Sequence, residues 1–378
     1  MRKLTIASAL ASAFISSVAY AQVQTQAPTP THAAAPEGSG FEFSGYLDAS
    51  YNYLSESNKF TSGAFSRVFD LERNAGAIRQ LAFTLSKQPK QGFGGLLNIT
   101  AGKDADIIAA YGLGAGKRNK VDATQAFVQY ATGPFTVIGG KYVTMAGAEV
   151  INSPTNPNFS RSILFGYAIP FTHTGVRGTY AVNDELSLML GVNNGWDDFE
   201  DTNGAKTLEL GLTYVPSKTV SLGAQGYSGK ERVGGLIDIG PEGTRNLVDL
   251  VGTFNASDKL TFILNYDYAS QASAPLANGG TGSAKWSGLA GYANYQVNEQ
   301  WRLSGRAEYF DDKDGYRTGV VQKWKEATLT AAYLPTKAIE LRAEVRADTS
   351  NVASFSNDSG TSASKSQRSI GVQALYKF

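Results

Sequence analysis

Residues 365–378 read KSQRSIGVQALYKF, and from Ile370 the chain alternates. Ile370, Val372, Ala374, Tyr376 and Phe378 fall on one face; Ser369, Gly371, Gln373, Leu375 and Lys377 fall on the other. Successive side chains of an extended strand point to opposite faces, so a period of two marks a strand with one apolar and one mostly polar side. The last residue is an aromatic that keeps the alternation. The segment is expected to be the closing strand of a membrane β-barrel, and the rest of the chain tests that expectation.

The same period runs back through the sequence. Residues 339–348 set Ile339, Leu341, Ala343, Val345 and Ala347 against Glu340, Arg342, Glu344, Arg346 and Asp348. One face is wholly aliphatic and the other wholly charged. Residues 287–297, 301–310 and 323–334 alternate nearly as cleanly. Further strands are expected at 41–53, 78–88, 93–103, 122–130, 135–142, 169–182, 185–193, 207–214, 219–227, 245–255 and 259–268. That makes about 16 strands of roughly ten residues, the length that crosses a bilayer when tilted.

Short turns such as Thr132-Gly133, Asn183-Asp184 and Pro335-Thr336 alternate with longer polar loops at 104–120, 143–168, 230–243 and 351–364. Alternating short and long connections give the outer-membrane plan, with short periplasmic turns, long external loops, an even strand number and both termini inside. The predicted fold class is therefore all-β: a transmembrane antiparallel up-and-down β-barrel. In lipid every backbone N–H and C=O must be paired, so the sheet has to close. A soluble sheet would instead need a second layer over its apolar faces, and the sequence offers no helical layer. Tyr130, Tyr180, Tyr214, Tyr333 and Tyr376 fall where a periplasmic aromatic girdle belongs.

Composition agrees and excludes. The chain has 378 residues, no cysteine and a formal net charge of +1. No disulfide framework or thiol chemistry is available, and no bulk positive field draws nucleic acid. There are 41 glycines, 19 tyrosines and 19 phenylalanines, which suits close-packed strands and interfacial girdles. Mean hydropathy is −0.21, as expected where a lipid face is averaged with a wet one. At the start, Arg2 and Lys3 precede an apolar run over 4–18 and the small-residue site Ala19-Tyr20-Ala21. Residues 1–21 are expected to be a signal peptide, with the mature chain beginning near Gln22; the run is short and broken by serines, which disfavours a membrane anchor helix. Residues 22–40, rich in Pro, Ala, Thr and Gln, are expected to be a flexible linker, and 41–378 the barrel.

Catalytic signals are poor. Of two histidines, His32 lies in the linker and His173 begins a strand between Thr172 and Thr174. No motif fixes a serine–histidine pair. Asp104 and Asp106 lack EF-hand spacing. Residues 112–118 have a phosphate-loop look, but Tyr111 stands where the first glycine is needed and no Ser or Thr follows Lys117. No catalytic residue, metal site or cofactor is expected, since a solute gradient drives passage.

The informative residues face the lumen. Arg302, Arg306, Arg342 and Arg346 point inward with Glu308, Glu340 and Glu344, and Asp48 and Arg177 are further pore-lining candidates. The loop 143–168 carries Glu149, Asn152, Asn156, Asn158 and Arg161 and is a candidate constriction. Arginines facing an acid on that loop would set a transverse field that selects solutes by charge and size. Alternatively these residues only pair across strands and solvate the wall.

The chain resembles the OmpL-like outer-membrane β-barrel porins. The resemblance rests on Ser44-Gly45-Tyr46-Leu47-Asp48-Ala49-Ser50-Tyr51-Asn52-Tyr53, on Asn158-Phe159-Ser160-Arg161-Ser162, on Thr172-His173-Thr174-Gly175-Val176-Arg177 and on the aromatic C-terminus. It implies an outer-membrane pore-forming barrel of poorly defined substrate and supplies no catalytic residues; the chain itself is expected to be a passive diffusion channel for small hydrophilic solutes. It also implies that Tyr376 and Phe378 form the signal read by the outer-membrane assembly machinery. The general porins of 16 strands, which it is similar to in plan, are often trimers, so a homotrimer is expected by analogy. Outer-membrane lipid and lipopolysaccharide are the expected partners outside. The competing readings are a plugged barrel acting as an adhesin or structural protein, and an outer-membrane lipid enzyme.

Overall fold

The computed structural model describes residues 40–113, 119–232, 241–357 and 362–378. The expected signal peptide, all of the expected linker before Gly40, and residues 114–118 of the phosphate-loop look-alike lie outside the described residues.

Sixteen antiparallel strands close into one barrel. The first half is β1 (Glu42–Leu54), β2 (Ala75–Lys87), β3 (Gly92–Ala101), β4 (Val121–Thr132), β5 (Phe135–Val143), β6 (Thr172–Ala181), β7 (Leu186–Asn193) and β8 (Thr207–Tyr214). The second half is β9 (Val220–Arg232), β10 (Glu242–Asn255), β11 (Leu260–Pro275), β12 (Thr281–Gln296), β13 (Trp301–Asp312), β14 (Gln322–Tyr333), β15 (Ile339–Ser350) and the closing strand β18 (Ser366–Lys377). Between β15 and β18 a two-stranded ribbon, β16 (Phe355–Ser356) with β17 (Ala363–Ser364), stands apart from the barrel sheet. The closing strand pairs with β15 on one side and β1 on the other, with Ala374 opposite Ala49 and Ile370 opposite Tyr53. The expected closure is thus met strand for strand.

The alternation explains the inside and the outside. Along β15 the aliphatic face is exposed, with Val345 at 52%, and the charged face is buried, with Asp348 at 0%. Leu210, Leu264, Leu329, Ile370 and many others are likewise turned outward. Such an apolar surface is an aggregation hazard in water and the natural contact with lipid tails. No described helix is long and apolar enough to cross a membrane; the crossing is made by strands. Exposed aromatics pair near the short-turn end, Phe93 with Tyr130 at 4.8 Å and Trp301 with Tyr333 at 4.9 Å between ring centroids, as an interfacial girdle requires.

Several strand boundaries differ from expectation, most clearly at two places. The expected strand at 169–182 begins only at Thr172. Pro170 lacks the N–H that a ladder needs, and Ile169 and Phe171 are buried in the interior instead. Between β11 and β12 the expected long loop shrinks to residues 276–280, because both strands run on past the membrane band with a bulge between Gln271 and Ala274. There both faces are small or polar, so the period carries no contrast to read.

The long-loop end is not open. Residues 55–74 and 144–171 fold into it, the latter through a single 3₁₀ turn (Ser153–Thr155) and helix α2 (Ile163–Tyr167); helix α1 (Ala105–Ile108) lies in the loop after β3. Ser162 caps α2, its hydroxyl accepting from the Phe165 N–H at 2.9 Å. Phe69, Phe165 and Phe171 meet with centroids 5.4–5.7 Å apart, and Phe60 packs edge-on to Trp324 at 5.1 Å. The barrel therefore encloses a hydrophobic core made by its own loops.

Candidate functional site

Strands β13, β14 and β15 turn Arg302, Arg306, Arg342, Arg346, Glu308, Glu326 and Glu344 to one inner wall, and the segment 144–171 lies along that wall. The carboxylates take its backbone N–H groups. Glu344 accepts from Phe159 (2.7 Å) and Ser160 (3.0 Å), and Glu308 from Ile163 (3.0 Å) and Leu164 (3.2 Å) at the start of α2. The arginines take its carbonyls. Arg306 donates to Ser160 O at 2.7 Å, Arg346 to Arg161 O at 2.7 Å and Arg342 to Asn158 O at 3.2 Å. Charge-assisted bonds of this kind are the strong ones. The wall is thus a docking surface that binds a main chain by alternating donors and acceptors.

Arg306 is the hub. It bonds Glu149 of the loop (2.8 Å), Glu326 (2.9 Å), Glu308 (3.2 Å) and the Ser160 hydroxyl (3.0 Å). Its side chain is 0% exposed. Glu149 in turn accepts from the Ser162 N–H at 2.8 Å. Arg342 and Arg302 share Glu340, and Arg346 is paired to Asp348 at 2.7 Å. Buried ions are tolerated only when paired and hydrogen-bonded, and each of these arginines meets an acid.

A family model described as "Putative beta-barrel porin-2, OmpL-like" matches residues 40–378. The chain belongs to the OmpL-like β-barrel porin family. It is accordingly an outer-membrane porin of bacteria. No curated protein sequence matches it. Solved structures of similar fold include an anion-selective porin from Comamonas acidovorans (13% identity, TM-score 0.62, covering 90% of this chain and 99% of that one). The outer-membrane channel DcaP of Acinetobacter baumannii is also similar (17% identity, TM-score 0.60, 92% and 99%). So is the trimer form of OmpT from Vibrio cholerae (12% identity, TM-score 0.56, 90% and 99%).

The remaining candidates of this porin fall in several places. Asp48 accepts from Gln373 of the closing strand at 2.8 and 2.9 Å, across the seam. Arg177 grips Glu209 with two bonds (2.6 and 3.1 Å), lies over the Tyr142 ring and reaches Val143 O, at the root of the loop. Asn156 closes the loop on itself through Val150, Asn158 reaches Thr330 at 2.7 Å, and Arg161 donates to Ile151 O at 2.9 Å. Asn152 alone of this set is exposed. The two aspartates that lack EF-hand spacing separate: Asp104 pairs with Arg79 at 2.6 Å, and Asp106 with Lys120. His173 is buried against the Gly195 carbonyl at 3.1 Å and stacked on Tyr227.

Sequence reasoning missed Arg67. From the loop after β1 it bonds Asp70 (2.7 Å), Ser369 (2.8 Å) and Asp348 (3.2 Å). It also missed the apolar run Ile163-Leu164-Phe165-Gly166-Tyr167-Ala168-Ile169 inside a loop, a signal of burial that was legible.

Outside the spanning strands, Asp198 sits in the loop after β7. Burial, then the neighbouring carboxylates of Glu231 and Asp197, push its carboxyl up to about 8, against a lowering pull from Arg245. The folded state therefore holds this proton more tightly than the unfolded chain. Its contribution favours folding at low pH and is lost as pH rises through about 8. Protease resistance of the segment 194–206 is expected to fall between roughly pH 4 and pH 8, and Asp198→Asn to remove that fall.

Proposed function

We propose that this porin is a passive diffusion channel for small hydrophilic solutes, with its constriction made by residues 144–171 clamped to the β13–β15 wall. The observation that carries the reading is the backbone docking at Glu344, Glu308 and Arg306, which holds the loop in the lumen at one height. Beside the loop, toward β8–β11, a cavity of about 40 Å³ remains, lined by Met145, Gly147 and Ala148 and by Gln225, Asp249 and Val251 of the wall. That is room for a few water molecules, so solutes pass there as the inner edge of the loop yields. Asn158, Arg161, Asn156 and Glu149 act by shaping the loop, and Asn152 by facing the aqueous space.

The porin carries out no catalysis in this reading; His173 serves packing, through Tyr227. Residues 1–21 direct export, the apolar exterior contacts lipid and lipopolysaccharide, and Tyr376 with Phe378 engage the assembly machinery. A homotrimer is favoured by the trimer form of the Vibrio cholerae barrel of similar fold. Recording from purified protein in planar bilayers tests the core of the proposal. Stepwise ohmic currents are expected. Protein that inserts and gives none would instead be a plugged barrel.

A further inference from the structure

The two inner walls differ in electrical character. On β13–β15 every arginine is matched by acids and by loop carbonyls. Further round the same inner surface, with only β12 between β11 and β13, Gln225, Asp249 and Asp267 form one row on three adjacent strands: Asp249 stands directly opposite Gln225 on β9 and directly opposite Asp267 on β11. Such opposed residues have Cα atoms only about 4.5–5.5 Å apart. The row ends on Gly211, opposite Gln225, where Met189 of β7 fills the space, and on Gly288, opposite Asp267. Leu164 of α2 occupies the space over Gly288.

Most of these acceptor atoms lack a donor side chain. Asp249 Oδ2 accepts from Asn265 Nδ2 at 2.7 Å, and Asn265 Oδ1 accepts from the Ala148 N–H at 3.1 Å, which ties the row to the inner edge of the loop. Asp249 Oδ1, both Asp267 carboxylate oxygens and Gln225 Oε1 are buried and meet no donor side chain among the described residues, while the two carboxyl groups are close enough to share a proton and the Gly147 N–H lies within reach of Asp249. Asp249 is 1%, Asp267 0% and Gln225 6% exposed. Gln225 and Asp249 both line the cavity beside the loop. Buried acceptors without donors are costly, and paired carboxylates more so, unless a cation or proton joins them.

We propose that Gln225, Asp249 and Asp267 form a transient binding station for small monovalent cations on the passage past the loop, and that this row, not the arginines, sets the sign of ion selectivity. The inference rests on the channel reading above. An all-oxygen donor set suits a hard cation. No described group of three or more acidic, histidine or cysteine side chains is placed to hold a resident metal, and weak binding is what conduction needs. The arginines, which begin two strands further round the barrel, add little field at the passage because their charges are closed within ion pairs.

The test is the reversal potential of the full-length protein in planar bilayers under a potassium chloride gradient. Wild type is expected to prefer potassium. Asp249→Asn with Asp267→Asn, nearly isosteric, is expected to lower the potassium-to-chloride permeability ratio by about tenfold. Gln225→Leu, which leaves both carboxylates in place, is expected to lower it less and serves if the double variant assembles poorly. Conducting channels whose ratio is unchanged in all variants, or a wild type that prefers chloride, overturn the inference and leave the channel standing. Wild-type protein that inserts without conducting overturns both.

Discussion

Arg306→Ala is expected to release the loop and raise single-channel conductance severalfold. The guanidinium links Glu149 and Ser160 of the loop to Glu326 and Glu308 of the wall. Truncating one member of a buried ion network costs about 3–5 kcal/mol, because the partners are left charged and unpaired. Here three carboxylates would remain around one vacated site. Glu149 would then be repelled by the wall that had held it, so the same change that removes the anchor also pushes the loop away. The remaining contacts of Glu344 and Arg346 with residues 159–161 act on a segment that is no longer aligned to them. Limited proteolysis should cut within 144–171 in the variant and spare the wild type. Arg306→Lys keeps the charge but not the planar fork of donors, and should fall between the two. Unchanged conductance, with the loop still protected, would show that docking does not depend on this hub.

That expectation departs from the one the residues alone suggested, and the reason is physical. Alternation along β15 told which face was charged and, with the aliphatic face opposite, that the charged one pointed inward. It could not tell what would meet the charges. Water, a solute and a peptide backbone all satisfy arginine and glutamate, and only the path of a loop some 150 residues earlier decides among them. The same limit hid Arg67, whose partner Asp348 is 281 residues away in sequence. The strands were legible because lipid on one side and polar groups on the other force contrast at every step. Where that contrast lapses, at 269–286 above the membrane band, the boundaries were lost. Asp249 and Asp267 were also legible as inward residues of neighbouring strands. Their significance came from the register that sets them face to face and from buried carboxylate oxygens that meet no donor side chain among the described residues.

Deleting Phe378 is expected to reduce the fraction of folded barrel sharply, and two different routes lead there. The first is local. The Phe378 N–H donates to Gly45 O at 3.0 Å and its carbonyl accepts from the Gly45 N–H at 2.9 Å, which fastens the last strand to the first. Its ring packs with Phe83 and Phe43, centroids 5.9 and 6.4 Å away, and a Cβ at Gly45 would come within 2.5 Å of it. Each backbone group unpaired in an apolar setting costs several kcal/mol, and the ring contacts add about 0.5–1.5 kcal/mol. The second route is recognition of the terminal aromatic during assembly. Phe378→Leu separates them, since it keeps both backbone bonds and loses the ring, while Gly45→Leu keeps the ring and crowds the seam. Refolding into lipid vesicles, read by heat-modifiable mobility on gels, reports the seam alone; surface assembly in cells reports both. If the seam dominates, Gly45→Leu should refold worse than Phe378→Leu. If recognition dominates, Phe378→Leu should refold normally in vesicles yet fail in cells. Normal behaviour of the deletion in both assays would remove any special role for the closing residue and place barrel closure on the ladder from Tyr46 to Leu54 alone.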